Sequence, residues 1–241
     1  MSVVEPLRHP LPNRDKTAQA AVLFDFGGTL DATGVAWKER FLQLYRDAGV
    51  KIAAERFEPI FYAVDDALVG AVPTTLPLRD VVERLVQSLT QALGLRDLTL
   101  AETIATQFLA ATFEQLSINT AVLRALSRRY RLGVVSNFYG NLASVCHEAG
   151  LSPFLTVVVD SACVGYAKPD PRIFFTALAE LRVDPAQALF VGDSLGRDMA
   201  GARAIGMPHV WLSAKTPQGE GLCCPNDRVV QRLDELLRWL L

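Results

Sequence analysis

Short continuous apolar runs alternate with longer helical stretches along most of the chain. The runs are AAVLFDF (20–26), LGVVSN (132–137), LTVVVD (155–160), ALFVGD (188–193) and HVWLS (209–213). Each is too short for a helix and is bounded by Gly, Pro, Asn or Asp, so each predicts a buried strand. Unbroken rather than alternating apolar character suits a parallel sheet covered on both faces. Helical patterns separate the last four runs, at 139–150, 171–183 and 196–206, and 229–241 predicts a terminal amphipathic helix. The alternation predicts a doubly wound α/β domain.

Residues 31–118 break the rhythm. They contain four helical patterns, punctuated by Pro73, Pro77 and Gly94, and no strand. That is far longer than an ordinary connection between a strand and a helix. The expected organisation is therefore an N-terminal extension (1–19), an α/β core (20–30 and 119–241) and an inserted all-helical lobe (31–118). Trp37, Phe41, Tyr45, Phe57, Phe61 and Tyr62 recur at helical spacing and are expected to pack that lobe, with one or two at a cavity entrance.

Ligands of open parallel sheets bind outside the carboxyl ends of the strands. The expected strands end at Asp25, at Ser136 and Asn137, before Lys168 in GYAKPDP, and at Asp193 in GDSLGRD with Asp198 five residues on. Three carboxylates and one ammonium in one crevice call for a further cation, and oxygen ligands suit Mg²⁺. Asp25 could then attack phosphorus and form an acyl phosphate. Ser136, with backbone amides of the glycine-rich turn at Gly28, would hold phosphoryl oxygens, and Lys168 would offset charge.

With 241 residues, half of them hydrophobic, and a formal net charge of −2, the chain reads as globular with no broad basic surface. Nucleic acid is not an expected partner. The prolines and charges of the first 19 residues do not match a secretory signal, and no run is long enough to span a membrane, so a cytoplasmic protein is expected, as monomer or homodimer. Cys146, Cys163, Cys223 and Cys224 lack zinc-site spacing and are expected to be reduced thiols. His9, His147 and His209 show no catalytic context, and His147 is expected to pack toward the sheet.

DFGGT, VVSN, AKPDP and GDSLGRD, in this order and each beside an expected strand, resemble the four motifs of the haloacid dehalogenase (HAD) superfamily, and the helical insertion resembles its α-helical cap. The resemblance spans residues 20–241. It implies a nucleophilic Asp25; Mg²⁺ on Asp25, Asp193 and the carbonyl of Gly27, with Asp198 assisting through water or a hydrogen bond; and Thr29 orienting the nucleophile turn. It also implies a small phosphorylated metabolite as substrate.

The first motif departs from the phosphatase pattern. Gly27 stands where an aspartate protonates the leaving alcohol, a contribution worth about 10²–10⁴-fold. The chain could take substrates whose leaving group needs no proton. It could borrow an acid, with Asp31 the nearest candidate. It could run phosphonate chemistry, for which Lys38 and Lys51 are the lysines of the lobe, or metal-free haloacid chemistry, against which the intact carboxylates of GDSLGRD argue. Or it could bind phosphorylated ligands with little turnover. Aspartate restored at position 27 is expected to raise activity on alkyl phosphates.

Overall fold

The computed structural model describes residues 19–214 and 228–241. Six parallel strands form one sheet: β1 (Ala21–Phe24), β2 (Arg131–Ser136), β3 (Leu155–Asp160), β4 (Ala188–Gly192), β5 (His209–Leu212) and β6 (Arg228–Val230), in the order β3-β2-β1-β4-β5-β6. All four side chains of β1 are fully buried, because helices cover both faces, and this is why the run carries no polar alternation.

Four helices follow β1: α1 (Trp37–Asp47), α2 (Ala54–Leu68), α3 (Leu78–Ala92) and α4 (Leu98–Leu126). Short helices α5 (Leu142–Glu148), α6 (Ser161–Val164), α7 (Pro171–Leu181), α8 (Ala200–Ala204) and α9 (Leu237–Leu240) complete the fold. Asp97 caps α4, its carboxylate accepting from the Leu100 N–H at 3.0 Å. That helix runs 29 residues without interruption across position 118, where the sequence places the edge of the insertion.

Two apolar clusters lie on the two sides of the sheet. One, with Phe174, Phe190 and Met199, packs α7 and α8 against it. The other is continuous from Val22, Phe24 and Val134 of the sheet into Phe41, Phe57, Leu85 and Phe108 of the inserted helices. The insertion therefore shares a core with one sheet face.

Two expectations are corrected. Residues 229–241 are not one helix: β6 pairs with β5, a short turn of 3₁₀ helix follows, and only Leu237–Leu240 is α-helical. Pairing to an available sheet edge overrides the helical period of RVVQRL. His147 is exposed on α5, whose buried face is formed by Leu142, Val145 and Cys146. Among the described residues no helix is long and apolar enough to cross a membrane. His9, Cys223 and Cys224 lie outside the described residues; Cys146 is a buried free thiol and Cys163 an exposed one.

Candidate active site

The order of the strands reverses at β1, which has β2 on one side and β4 on the other. The crevice outside the carboxyl ends of β1 and β4 is thus the topological switch point, where open α/β sheets bind ligands. Asp25 follows β1 there, its N–H bonded to the Val191 carbonyl at 2.9 Å. Asp193 follows β4, and Asp198 lies five residues further, in the turn that opens α8.

Five side chains from four segments converge. Lys168 Nζ stands 2.6 Å from Asp25 Oδ1 and 2.7 Å from Asp198 Oδ1. Ser136 Oγ donates to the same Asp25 Oδ1 at 2.7 Å. Asp25 Oδ2 carries no hydrogen bond from any described residue. Carboxylate oxygens of Asp25, Asp193 and Asp198 all lie within 4.8 Å of one another. The site lines a cavity of about 540 Å³ whose far wall is built by the inserted helices, including Trp37, Lys38, Tyr62 and Asp65.

The electrostatics are those of a charge cluster out of balance. Burial and then the neighbouring Asp25 and Asp198 carboxylates push Asp193 well above the ordinary carboxylate range. Burial raises Asp198 to about 6, against the opposing pull of Lys168. For Lys168, burial works to lower the pKa, but Asp198 and Asp25 outweigh it and hold the ammonium charged. Three hard carboxylates this close, with one ammonium, form an oxygen donor set that fits a divalent cation.

The remaining residues expected at the site are placed as follows. Gly27 lines the cavity. Gly28 adopts φ +89°, and a Cβ there would run into the Asp193 carboxylate, so both backbone and space require glycine. Gly28 and Thr29 both engage protein groups. The Gly28 N–H donates to Asp31 Oδ1 at 2.6 Å, and Thr29, fully buried, directs Oγ1 toward Asp193 Oδ1 at 3.4 Å. They build the turn beneath the site. Asn137 reaches the cavity, but both ends of its amide are engaged: Oδ1 accepts the Lys168 N–H at 2.7 Å and Nδ2 donates to the Lys168 carbonyl at 3.0 Å. It registers the Lys168 backbone to the end of β2.

Asp31 is not available as a proton donor. It is fully buried and accepts from the Gly28 N–H, from Trp37 Nε1 at 2.6 Å and from Arg40 Nη1 at 2.8 Å. Burial raises its pKa, and Arg40 with the two N–H donors reverses only part of this. Arg40 in turn lies 4.0 Å from the centre of the Phe108 ring and donates to Thr112 Oγ1 at 2.7 Å. Asp31 therefore ties the nucleophile turn to α1 and, through Arg40, to α4. Asp31→Asn places an amide N–H₂ against donors and leaves a mostly buried guanidinium unpaired. We expect a loss of about 3–5 kcal/mol, seen as a lower urea midpoint with an unchanged slope.

The same contact explains what fills the space at position 27. Gly27 has φ −73° and ψ 118°, which any residue adopts. A Cβ there would stand 3.3 Å from Trp37 Nε1, tighter than ordinary packing. The indole that Asp31 anchors borders the missing side chain, so a side chain at 27 requires it to give by a few tenths of an ångström. Of the two lobe lysines, Lys38 lines the cavity but is tied to Glu58 at 2.5 Å, and Lys51 is exposed away from it.

Sequence reasoning did not single out Asp160, Tyr139 or Asp65. Asp160 accepts from the N–H groups of Gly140, Leu142 and Ala162 and so shapes the loop that follows Ser136. An Asp at the end of an expected strand was the available signal. Tyr139 donates a short hydrogen bond to Asp65 Oδ1 across 74 positions of sequence, which no local pattern announces.

A family model for haloacid dehalogenase-like hydrolases matches residues 19–206. The chain belongs to this family. Among HAD relatives, the haloacid dehalogenase-like hydrolase domain-containing protein 3 of Bos taurus is 34% identical over 161 residues, which cover 64% of each chain. The match thus spans under two thirds of that relative's length. The phosphoserine phosphatase of Thermus thermophilus is 44% identical over 81 residues, 34% of this chain and 32% of that one. The putative HAD-hydrolase YfnB of Bacillus subtilis, solved bound to magnesium, superposes with TM-score 0.56 at 19% identity over 92% of this chain and 99% of its own. At that identity the likeness concerns the HAD fold alone.

Proposed function

We propose that this HAD-like hydrolase is a Mg²⁺-dependent phosphohydrolase that removes phosphate from a small phosphorylated metabolite by way of an aspartyl-phosphate on Asp25. The observation that carries the reading is the division of labour on Asp25. Ser136 and Lys168 both engage Oδ1, no described residue donates a hydrogen bond to Oδ2, and Asp25 lines the cavity. A carboxylate fixed on one oxygen is positioned to attack with the other. The sequence similarity to a phosphoserine phosphatase supports the same class of reaction.

Asp25, Asp193 and Asp198, with the Gly27 carbonyl, would hold the cation. Bound Mg²⁺ supplies positive charge toward the phosphoryl oxygens and neutralises the cluster. The chain does the rest. Lys168 offsets the carboxylates so that a phosphate dianion can approach, and Ser136 fixes the rotamer of the nucleophile. The inserted helices, acting as the cap, wall the cavity from bulk water and set the size of the substrate. A protein-sized phosphosubstrate does not fit a cavity of about 540 Å³.

The filled space at Gly27 favours a second reading, a phosphate-binding regulatory protein with little turnover. A panel of p-nitrophenyl phosphate, acetyl phosphate, alkyl phosphates, phosphonates and 2-haloacids, each with Mg²⁺ and with chelator, separates the two. The phosphohydrolase cleaves phosphate substrates only with Mg²⁺; metal-independent turnover of a 2-haloacid, or no turnover at all, overturns it. Mg²⁺ at a hundred times its Kd adds about 2.7 kcal/mol of stability, hence a Tm rise of roughly 5–11 °C. The rise shrinks below pH about 6, because a proton on Asp198 then competes with the cation. A rise unchanged at pH 5 would place the metal elsewhere.

A further inference from the structure

The phosphohydrolase reading leaves the leaving group without an acid, since Gly27 has no side chain and Asp31 is sealed. The candidates are the ionisable groups that line the same cavity outside the cation cluster: Lys38, Glu39, Tyr62, Asp65, Tyr139 and Arg197. Lys38 and Glu39 pair with each other at 3.5 Å, Lys38 also holds Glu58, and the Glu39 side chain is half exposed. Burial and the nearby Asp65 push the Tyr139 phenol well above its ordinary range, which makes it a poor acid. Arg197, exposed on the turn after β4, lies 5.8 Å from the centre of the Tyr62 ring, and a guanidinium is no proton donor to a leaving group.

Asp65 differs from all of these. It sits on α2, mostly buried in the cavity wall. Its Oδ1 accepts the Tyr139 hydroxyl, and no hydrogen bond from a described residue reaches Oδ2. Tyr139 packs on Trp37 with ring centroids 6.2 Å apart, and Trp37 is the residue that fills the space beside Gly27. Asp65 is thus joined through Tyr139 and Trp37 to the wall beside Gly27, and it lines the same cavity as Asp25.

Resting on the phosphohydrolase reading, the geometry points to Asp65 as the cap-borne general acid and base that replaces the side chain missing at position 27, so that alkyl phosphate esters are substrates. Asp25 Oδ2 attacks phosphorus. The bond from phosphorus to the ester oxygen breaks with its electron pair on that oxygen, which takes the proton of Asp65 Oδ2. The Asp65 carboxylate then accepts a proton from water as the water oxygen attacks the aspartyl-phosphate. Inorganic phosphate leaves, and both carboxyl groups return to their starting forms. Burial supports the role by raising the Asp65 pKa, as does the adjacent Asp66, while the Tyr139 hydrogen bond and Arg197 oppose it.

The test is a series of phosphate esters with leaving groups from p-nitrophenol to simple alcohols, run on the full chain with Mg²⁺. Asp65→Asn keeps the shape and the acceptor for Tyr139. Its loss should grow with leaving-group pKa, reaching about 10²–10⁴-fold on alkyl esters and remaining least on p-nitrophenyl phosphate. Tyr139→Phe removes a bond that favours ionised Asp65, so the alkaline limb of its pH–rate profile should move to higher pH. A folded Asp65→Asn that loses the same factor on every ester, or none on alkyl esters, overturns the assignment. Should Asp65→Asn fail to fold, an unmoved alkaline limb in Tyr139→Phe overturns it. Turnover of p-nitrophenyl phosphate that survives in Asp25→Asn overturns the phosphohydrolase reading itself, whatever Asp65→Asn shows.

Discussion

Asp25→Asn will lower turnover of p-nitrophenyl phosphate by about 10⁴-fold or more while the protein keeps its fold. The substitution changes little besides Oδ2. The amide oxygen can still accept from Ser136 and Lys168, as Asp25 Oδ1 does at 2.7 and 2.6 Å. The atom that becomes nitrogen is the one that receives no hydrogen bond from a described residue and is assigned the attack. Losing this charge weakens one partner of Lys168 but also relieves repulsion on Asp193 and Asp198. The two effects oppose, so Tm should move by only a few degrees. Steady-state rates and a thermal melt on the same sample check both halves. A folded variant that retains turnover would exclude Asp25 as the nucleophile.

Lys168→Met will cost both activity and stability. The lysine is buried and holds Asp25 and Asp198 at 2.6 and 2.7 Å. Methionine fits the volume but leaves a cluster of carboxylates without its ammonium, and breaking a buried ion pair costs about 3–5 kcal/mol. For a chain of this size that is roughly 6–20 °C in Tm. The pH dependence has a definite sign. The raised pKa of Lys168 means that its contribution is present below the unfolded value and is lost only as pH rises through the folded one, so the native lysine stays charged at neutral pH. Without it, Asp193 and Asp198, whose folded pKa values Lys168 pulls down, are raised further above their unfolded ones. Such groups favour the fold when protonated, so the variant should regain Tm from pH 8 to pH 6 more than the parent does. A variant whose deficit is the same at both pH values would show that packing, not charge, is what Lys168 provides. Turnover should fall by about 10²–10³-fold, as for loss of a buried electrostatic contact to the reacting group.

The core of the site was legible because a parallel sheet converts sequence order into position. Once five apolar runs are read as strands, their polar ends must share one edge, and Asp25, Ser136, Lys168, Asp193 and Asp198 follow. What sequence did not disclose are partnerships made across space. Asp31 looks like a free carboxylate near the nucleophile until Arg40 and the Trp37 indole are seen to enclose it. Asn137 stands at a strand end like a ligand-binding residue, yet its amide holds the Lys168 backbone. β6 has three residues and exists through its pairing with β5, which residues 228–230 cannot announce by themselves.

The uninterrupted course of α4 bears on any attempt to graft this lobe onto another scaffold. A 29-residue helix is about 43 Å long. Its last two turns bury Asn119, Val122, Leu123 and Leu126, and Asn119 Nδ2 donates to the Leu30 carbonyl at 2.8 Å, just past the nucleophile turn. A transplant cut at 118 severs this rod and leaves its anchoring end behind; one cut at 126 carries away the residue that holds the Leu30 carbonyl. The lobe is thus not an interchangeable module, and swapping specificity between relatives has to proceed by resurfacing the cavity wall in place.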